Sequence, residues 1–418
     1  MGRHDELIVG LDIGTTKICA VVVEASGESV DVVGIGSHPS KGLRKGVVID
    51  IDATVDSIRK AVDEAELMAG CEINAVYAGI AGGHIEARNE IGMVAIKDRE
   101  VKQSDVKRVI DQAQAIAIPA DREVIHVIPQ EYEIDGQDGI KHPVGMAGVR
   151  LIARVHIVTA AVTSAQNVIK CCNKAGLNVI DIVLEPLASS EAVLSPDETE
   201  LGVALVDLGG GTTDLAVFQA GSIKHSAVLS LGGQHLTNDA AVGLRTPFDQ
   251  AERLKRRFGC AAARYMPREE LLVVPGVGGR APREVSRKTL SEFLEPRIEE
   301  ILTLVHEQLG RAGYLNRIPS GIVCTGGSSA LAGLPELAEE IFELPVRRGI
   351  PRGIGGLANR VQGPEFATGV GLALWGSKRR ARPRFRVYDG SSFRKVRARM
   401  RDWLYGEPSK LRIRGVDR

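Results

Sequence analysis

The feature that most constrains this chain is a short glycine-rich pattern that occurs twice. An apolar run ends at Asp12 and is followed by Gly14, Thr15 and Thr16, and the same order returns after Asp207. The second copy contributes Gly209, Gly210, Gly211, Thr212, Thr213 and Asp214. A second apolar run follows each copy, so each predicts a tight β-hairpin. Glycines without a Cβ let backbone N–H groups close on an anion, and threonine hydroxyls add donors, so phosphate is the expected ligand.

One glycine-rich hairpin is explained equally well by an ordinary turn, whereas the repeat predicts two half-sites that face one ligand. The carboxylates of these hairpins repel phosphate and are better suited to hold a metal through water. The order of elements repeats as well, since each hairpin belongs to a predicted meander of three strands that is followed by a helix. An α/β protein built from two duplicated lobes is therefore predicted.

Three further elements fall between or after the hairpins. Glu185-Pro186 opens a predicted helix, where the carboxylate serves either a ligand or the helix N-terminus. Glu252 and Lys255 lie on one face of a basic helix, and a surface ion pair is the plain alternative for them. A strand runs into Gly326, Gly327 and Ser328, and a helix over 330–342, interrupted near Pro335, is predicted after them. An ordinary strand-to-helix turn explains that glycine pair equally well.

The charge is distributed unevenly although the total is zero. The segment from Lys378 to Arg418 contains 15 basic and 4 acidic residues. Within it, a helix between Ser391 and Gly406 places an apolar stripe within one arc and basic residues beside or outside it. The stripe consists of Phe393, Val396, Met400, Trp403 and Leu404, and the basic residues include Arg394, Lys395 and Arg397.

About 14 residues of helix span near 20 Å, too short to cross a bilayer, so this helix is expected to lie in the interface of an anionic membrane. Docking on its own domain leaves the basic residues unexplained, and a nucleic-acid arm leaves the apolar stripe unexplained, so nucleic acid is not the expected partner. The sequence contains no run of roughly 18 apolar residues and its N-terminus lacks the features of a secretory signal, which predicts a cytosolic body. Six scattered cysteines predict reduced thiols.

Taken in order, the hairpin at Asp12, the helix at Glu185, the hairpin at Asp207, the Glu252/Lys255 helix and the Gly326-Gly327 turn resemble the actin/heat-shock-70/sugar-kinase ATPase superfamily. The resemblance implies that ATP and Mg²⁺ bind between two ribonuclease-H-like lobes. It implies that both hairpins cradle the phosphates, that Lys17 reaches a phosphate oxygen, and that Asp12, Asp207 and Asp214 face Mg²⁺ through water. It further implies a ribose contact at Glu252 and Lys255, an adenosine contact at 326–328, and catalytic roles for Glu185 and Asp207. Whether ATP is hydrolysed stays open.

Within that superfamily, the insertion near 84–161, the EPRIEE run at 295–300 and the segment TGGSSALAGLPELAEEIF resemble the FtsA family of bacterial cell-division proteins. The resemblance implies actin-like filaments, recruitment of FtsZ through its C-terminal tail, contacts with later divisome membrane proteins, and attachment to the cytoplasmic face of the inner membrane at the septum. Arg297 and Glu300 are the implied contacts for the FtsZ tail, with a solvent-facing helix pair as the alternative. A metabolite kinase and a pilus-assembly clamp on the same fold are the rival functions.

The expected domains follow from these assignments. Lobe 1 comprises 1–83 and 162–196 with the inserted subdomain 84–161, and lobe 2 comprises 197–233 and 305–376 with the inserted subdomain 234–304. A basic linker (377–390), the amphipathic helix (391–406) and a basic tail (407–418) complete the chain.

Overall fold

The computed structural model describes residues 6–27 and 29–379. The predicted amphipathic helix, with Phe393 and Trp403, lies outside the described residues. Within the described ranges, no helix combines the length and apolarity that crossing a membrane requires.

The first lobe is built on a six-stranded sheet, whose strands in spatial order are β11 (Asn178–Leu184), β6 (Ala75–Ile80), β1 (Glu6–Ile13), β2 (Lys17–Ser26), β3 (Ser29–Pro39) and β19 (Gly355–Gly356). Its first three strands are an antiparallel meander, and β6 and β11 join it in parallel. Its elements are β1 (Glu6–Ile13), β2 (Lys17–Ser26), β3 (Ser29–Pro39), β4 (Leu43–Arg44), β5 (Val47–Val48), α1 (Ile51–Ala69) and β6 (Ala75–Ile80). The inserted subdomain contains β7 (Glu86–Ala95), α2 (Gln103–Ala113), β8 (Arg122–Ile134), β9 (Gln137–Ile140) and β10 (Arg150–Ala161), and the lobe resumes with α3 (Val162–Lys174), β11 (Asn178–Leu184), α4 (Glu185–Val193) and α5 (Pro196–Leu201).

The second lobe repeats this plan in a five-stranded sheet with the order β14-β13-β12-β17-β18. A three-stranded antiparallel meander is again followed by two parallel strands, so the predicted duplication is confirmed by the strand order. Its elements are β12 (Val203–Leu208), β13 (Thr213–Gln219), β14 (Ser222–Leu229), α6 (Gly233–Leu244), α7 (Phe248–Phe258), β15 (Leu271–Val274), β16 (Arg283–Ser286), α8 (Arg287–Arg311), β17 (Ile322–Thr325), α9 (Leu334–Phe342), β18 (Val346–Arg348) and α10 (Ala367–Lys378). Strand β19, which precedes α10 in the chain, pairs with β3 in the sheet of lobe 1.

Apolar side chains form separate cores for the insertion and for the outer part of lobe 2, while the core of lobe 1 continues into lobe 2 through residues such as Leu205 and Val323. The inserted sheet has the order β7-β10-β8-β9 and carries α2 against it. The two lobes are thus joined by shared packing as well as by the chain.

Helix α10 crosses back from lobe 2 and packs on β1 and α4 of lobe 1 through small residues. A Cβ on Gly371 would lie 1.9 Å from the carbonyl oxygen of Ala188, and one on Gly10 would lie 2.4 Å from the carbonyl oxygen of Gly369. The glycines therefore allow a backbone approach that any larger residue would prevent.

The helix predicted over 330–342 is wrong in its start. A short 3-10 turn covers Gly327–Ala330, and α9 begins only at Leu334, after Gly333 with a φ of 71°. Pro335 occupies the first turn of α9, where its missing N–H costs no hydrogen bond, so the proline starts the helix and does not interrupt it. The glycine pair is consequently followed by a 3-10 turn and not by the N-terminus of a long helix.

Candidate functional site

The two glycine hairpins meet at the interface of the lobes. The first is the turn between β1 and β2, where the N–H of Gly14 donates to the carbonyl of Lys17 (3.0 Å). The second is the turn between β12 and β13, and Leu208 pairs with Thr213 across it. A Cβ on Gly210 would lie 2.4 Å from the Thr16 Cγ2 atom, so the second turn approaches the first at contact distance. Two half-sites in one place are what the repeated pattern predicts.

The N-terminus of α6 supports the second hairpin from below. Backbone N–H groups of Gly233 and Gln234 donate to the carbonyls of Gly209 (2.9 Å) and Gly210 (2.8 Å). A Cβ on Gly232 would lie 2.8 Å from the Gly209 carbonyl oxygen, so this approach also requires glycine. The backbone of the second turn is therefore hydrogen-bonded to the backbone of α6. We call the two glycine turns, together with the N-terminus of α6 at 232–234, the cradle.

Four carboxylates converge beside these turns, and each has a pKa above its ordinary value. Burial raises the pKa of Asp12 to about 6, an effect that Lys17 opposes and Asp207 reinforces. Burial, and then the charge of Asp207, raise the pKa of Asp214 to about 7. Burial raises the pKa of Asp207 despite hydrogen bonds from Ser189 and Thr368. Burial and then the charges of Asp12, Asp214 and Asp207 raise the pKa of Glu185 well above its usual range.

Hydrogen bonds fix two of these carboxylates at one oxygen each. The Ser189 hydroxyl donates to Oδ2 of Asp207 (2.9 Å), and the Thr212 hydroxyl donates to Oδ2 of Asp214 (2.9 Å). The other oxygen of Asp214, Oδ1, is buried and has no hydrogen-bond partner among the described residues. A cluster of acids with an unsatisfied buried oxygen fits a bound cation, because a cation would lower the pKa of all four groups.

The acidic side chains of the described residues are not arranged to coordinate a metal ion directly. Within 6–27 and 29–379, no group of three or more His, Cys, Asp or Glu side chains is arranged to hold a metal ion. The donor set therefore fits a hydrated Mg²⁺, which keeps most of its waters and needs only one or two carboxylates nearby.

Lys17 lies at this site but is already engaged. Its ammonium donates to the carbonyl of Glu365 and lies 4.2 Å from the centre of the Phe366 ring. Since Glu365 precedes α10, this contact ties the first hairpin to the segment that returns from lobe 2. A phosphate contact by Lys17 stays a prediction.

Glu252 and Lys255 are not a solvated surface pair. The Lys255 side chain is 8% exposed and its Nζ atom lies 2.7 Å from Glu252 Oε2. The same ammonium donates to the carbonyl of Gly233 (2.9 Å) and to the hydroxyl of Thr237 (2.8 Å). Three acceptors match the three donors of an ammonium, so Lys255 anchors the first turn of α6 to α7. Ribose contacts by this pair stay a prediction.

The Gly326-Gly327 turn lies against the second hairpin. The Ser328 hydroxyl donates to the Gly209 carbonyl (3.3 Å), and a Cβ on Gly326 would lie 2.3 Å from Asp207 Oδ1. Sequence reasoning missed Ser189, Thr368 and Thr237, which hold the site residues in place. They carry no local pattern, because their partners are distant in sequence.

Arg297 and Glu300 lie on α8, away from the hairpins. The Arg297 guanidinium pairs with Glu300 on its own helix and with Asp239 of α6, 2.7 Å from Nε to Oδ2. Arg297 therefore joins two helices of lobe 2, and its side chain stays 29% exposed.

Duplicated lobes with paired glycine hairpins at their interface define the actin-like class of protein. Solved structures of that class superimpose on the chain. A chain of the PilM-PilN type IV pilus biogenesis complex gives a TM-score of 0.65 at 19% identity, covering 88% of this chain and 98% of that one. MreB5 of Spiroplasma citri bound to AMPPNP gives 0.56 at 15% identity, covering 90% and 97%.

The family follows from sequence. The model for the cell division protein FtsA matches residues 204–371, and the model for the SHS2 domain inserted in FtsA matches 82–159. The cell division protein FtsA of Pseudomonas aeruginosa is 50% identical over 411 residues, 97% of this chain and 99% of that protein. That of Escherichia coli K12 is 43% identical over 381 residues, 89% and 91%. The chain belongs to the FtsA family of cell-division proteins.

Proposed function

We propose that the protein binds ATP with Mg²⁺ between its lobes, assembles into actin-like filaments and links FtsZ to the membrane during division. One observation carries the nucleotide part: two glycine hairpins meet where four carboxylates of raised pKa converge. The turns provide backbone donors for phosphates, and the carboxylates provide negative charge for a hydrated cation. The crystal of MreB5 with AMPPNP supports a nucleotide in a protein of this fold.

In this proposal Mg²⁺, when bound, neutralises charge on the phosphates and on the acidic cluster. Asp12 and Asp207, together with Asp214, would hold the waters of the ion. Glu185 orients a water for a weak ATPase reaction, and burial, which raises the pKa of this carboxyl, makes its ionised form a stronger base. The adenosine lies between α6, α7 and the turn at 326–328, where Glu252 contacts the ribose.

Nucleotide binding is tested by titrating a fluorescent ATP analogue with Mg²⁺ into the full chain. Binding that Asp12→Asn weakens at least tenfold supports the proposal, and an unsubstituted chain without binding contradicts it. Glu185→Gln is expected to keep the affinity and to reduce any phosphate release.

The membrane part rests on the sequence of the basic amphipathic segment, which favours peripheral attachment, whereas a location at the septum rests on family membership. Full-length protein and a form ending at residue 390 are compared for co-sedimentation with vesicles of anionic and of neutral lipid. The full chain should sediment with anionic vesicles, and equal sedimentation of both forms would remove the anchor from the proposal.

The FtsZ part rests on family membership and on the partial exposure of Arg297. Binding of an FtsZ C-terminal peptide is measured for Arg297→Ala and for Asp239→Ala. The second variant breaks the same ion pair but leaves the guanidinium available. Loss in Arg297→Ala together with retention in Asp239→Ala indicates a direct contact, whereas equal losses indicate that only the α6–α8 contact matters.

Contacts with later divisome proteins are proposed for the insertion. Its edge strand β7 presents Ile91, 57% exposed, and Met93, 47% exposed, to solvent. Apolar side chains at a sheet edge favour a protein partner over solvent.

A further inference from the structure

Two β-bulges face each other where the insertion meets lobe 2. On β8 the pairing with β10 shifts from Glu131 to Pro129, which makes Gln130 the extra residue of a bulge. On β14 the pairing with β13 shifts from His225 to Ile223, which makes Lys224 the extra residue of another. Bulges redirect backbone and side-chain groups away from their own ladder. Here both extra residues take part in the contact between the two units.

Side-chain amides of the insertion hydrogen-bond to the carbonyl groups of this edge strand. Nε2 of Gln130 donates to the carbonyl of Ile223 (2.8 Å), and Nδ2 of Asn89 donates to that of Lys224 (2.8 Å). In return, the Ser222 hydroxyl donates to the carbonyl of Gln130 (3.2 Å). The same Gln130 amide also donates to Oδ1 of Asn89 (3.1 Å). The insertion thus caps the edge of the lobe 2 sheet without adding a strand to it.

A buried histidine completes the network. His156 is 1% exposed, and its Nδ1 lies 2.7 Å from Asn89 Oδ1 while its Nε2 lies 2.9 Å from the Ser226 hydroxyl. Since the amide oxygen can only accept, Nδ1 carries the proton and Nε2 accepts from Ser226. Burial, and then the charge of His225, lower the pKa of His156 to about 4, so the ring stays neutral at physiological pH. We call this network the clasp; its members are Asn89, Gln130, His156, Ser222, Ile223, Lys224 and Ser226.

The clasp has a route to the nucleotide cradle on each side. The insertion continues from β6 and into α3 of lobe 1, so both its ends are joined to the lobe that carries the first hairpin. On the other side, β14 leads to Leu231, whose carbonyl accepts from the Thr213 hydroxyl (2.9 Å), and then to Gly233, which donates to Gly209 (2.9 Å). The clasp therefore joins the two halves of the site by a path that is separate from the hairpins themselves.

We infer that the clasp is a brace across the cleft: it holds the insertion of lobe 1 on the edge strand of lobe 2 and thereby limits how far the lobes open. This inference rests on the proposed nucleotide site for its effect on release, but not for the contact itself. Opening that carries lobe 2 away from lobe 1 must break the amide bonds to β14 or distort the insertion. Weakening the clasp should therefore accelerate nucleotide release.

The test compares Gln130→Ala with Gln112→Ala in the full chain. Gln112 is the matched control, because it lies in the same insertion and accepts from the N–H of Met93 (2.6 Å) within that subdomain. Hydrogen/deuterium exchange without nucleotide should become faster over Ser222–Leu229 in Gln130→Ala only. Release of a fluorescent ATP analogue should become about three- to tenfold faster in that variant, the effect of losing about 1 kcal/mol of part-buried hydrogen bonding.

Each outcome bears on one claim. Equal exchange over β14 in both variants overturns the brace, and so does unchanged release in Gln130→Ala when β14 exchanges faster. If the unsubstituted chain binds no nucleotide, the proposed function fails and the cleft loses its ligand, while the exchange comparison still decides whether the clasp holds lobe 2. Melting curves of both variants, expected to agree, show that neither change acts through global unfolding.

Discussion

Four acidic residues in the cleft are buried close to one another, so ionising them costs free energy that a bound cation would offset. Asp12, Asp207, Asp214 and Glu185 all have raised pKa values, so the folded chain binds protons that the unfolded chain releases. Without a cation, ionisation of these groups opposes folding. The site therefore sacrifices some stability for affinity, as sites for charged ligands generally do.

The clearest residue to test is Asp214, with a pKa of 3.8 as the unfolded reference and about 7 in the folded chain. A raised folded pKa means that stability falls as pH rises from about 4 and that the loss is complete above about 7. Asp214→Asn removes this loss. Its melting temperature, measured without nucleotide, should exceed that of the unsubstituted chain by about 2–6 °C at pH 8 and by less at pH 5.

Taking the difference between the two proteins cancels the contributions of titrating groups that do not interact with Asp214, while Asp207 and Glu185, which do, contribute to the measured difference. A difference that is constant with pH would show that Asp214 ionises normally. With Mg-ATP present the order should reverse, because the cation stabilises the carboxylate.

A second residue prediction concerns Lys255. Lys255→Met keeps the approximate length of the side chain but removes the two hydrogen bonds to Gly233 and Thr237 of α6, together with the ion pair to Glu252. Affinity for ATP should fall about 10- to 100-fold, the range for losing charged hydrogen bonds. Lys288→Met is the control, since Lys288 forms an exposed pair with Glu292 on α8. An unchanged affinity in Lys255→Met would show that the cradle holds without this anchor.

Among the secondary-structure elements, the two hairpins could be predicted from sequence, whereas the start of α9 and the long-range contact of Lys17 could not. The order of apolar runs, glycines and threonines predicts both turns because hairpin chemistry is local. The late start of α9 depends on Gly333 in the left-handed region and on the adjacent proline, a combination that apolar spacing alone does not distinguish from a longer helix. The sequence neighbours of Lys17 predict a phosphate contact for it. Its observed contact with Glu365 joins residues almost a whole chain apart, which no local pattern predicts.

We expect that α10 does not tolerate a side chain at Gly371, where it crosses α4. In Gly371→Ala the added methyl group would lie 1.9 Å from the Ala188 carbonyl oxygen, so the helices must separate. Unfolding free energy should fall by about 1–3 kcal/mol in chemical denaturation. Gly310→Ala in α8 is the matched control, because its nearest neighbour is at 3.4 Å and helix propensity favours alanine. Equal stabilities would show that the crossing is loosely packed.

For the whole molecule, the two lobes, the insertion and the basic tail form one proposed cycle. In this proposal nucleotide closes the cleft, closed molecules assemble into filaments, and the assembled copies bind the membrane together. A short amphipathic helix binds weakly as a single copy, while copies linked in a filament bind through effective concentration.

Sedimentation with anionic vesicles should therefore increase when Mg-ATP is added to the full chain. Asp12→Asn should keep the basal sedimentation and lose the increase, because its terminal segment is intact. An increase of the same size in Asp12→Asn would separate membrane binding from the nucleotide site.

Local chemistry makes four features readable from the order of residues: two glycine hairpins, their duplication, the acidic residues beside them and the family to which the chain belongs. How these parts contact one another depends on the packing of the folded chain. In the folded chain Lys255 donates to a carbonyl of α6, Ser189 donates to Asp207, and Lys17 donates to the carbonyl of Glu365. The two bulges of the clasp also lie next to each other there. These contacts join residues far apart along the chain, and their geometry follows from how the sheets pack rather than from any pattern of neighbouring residues.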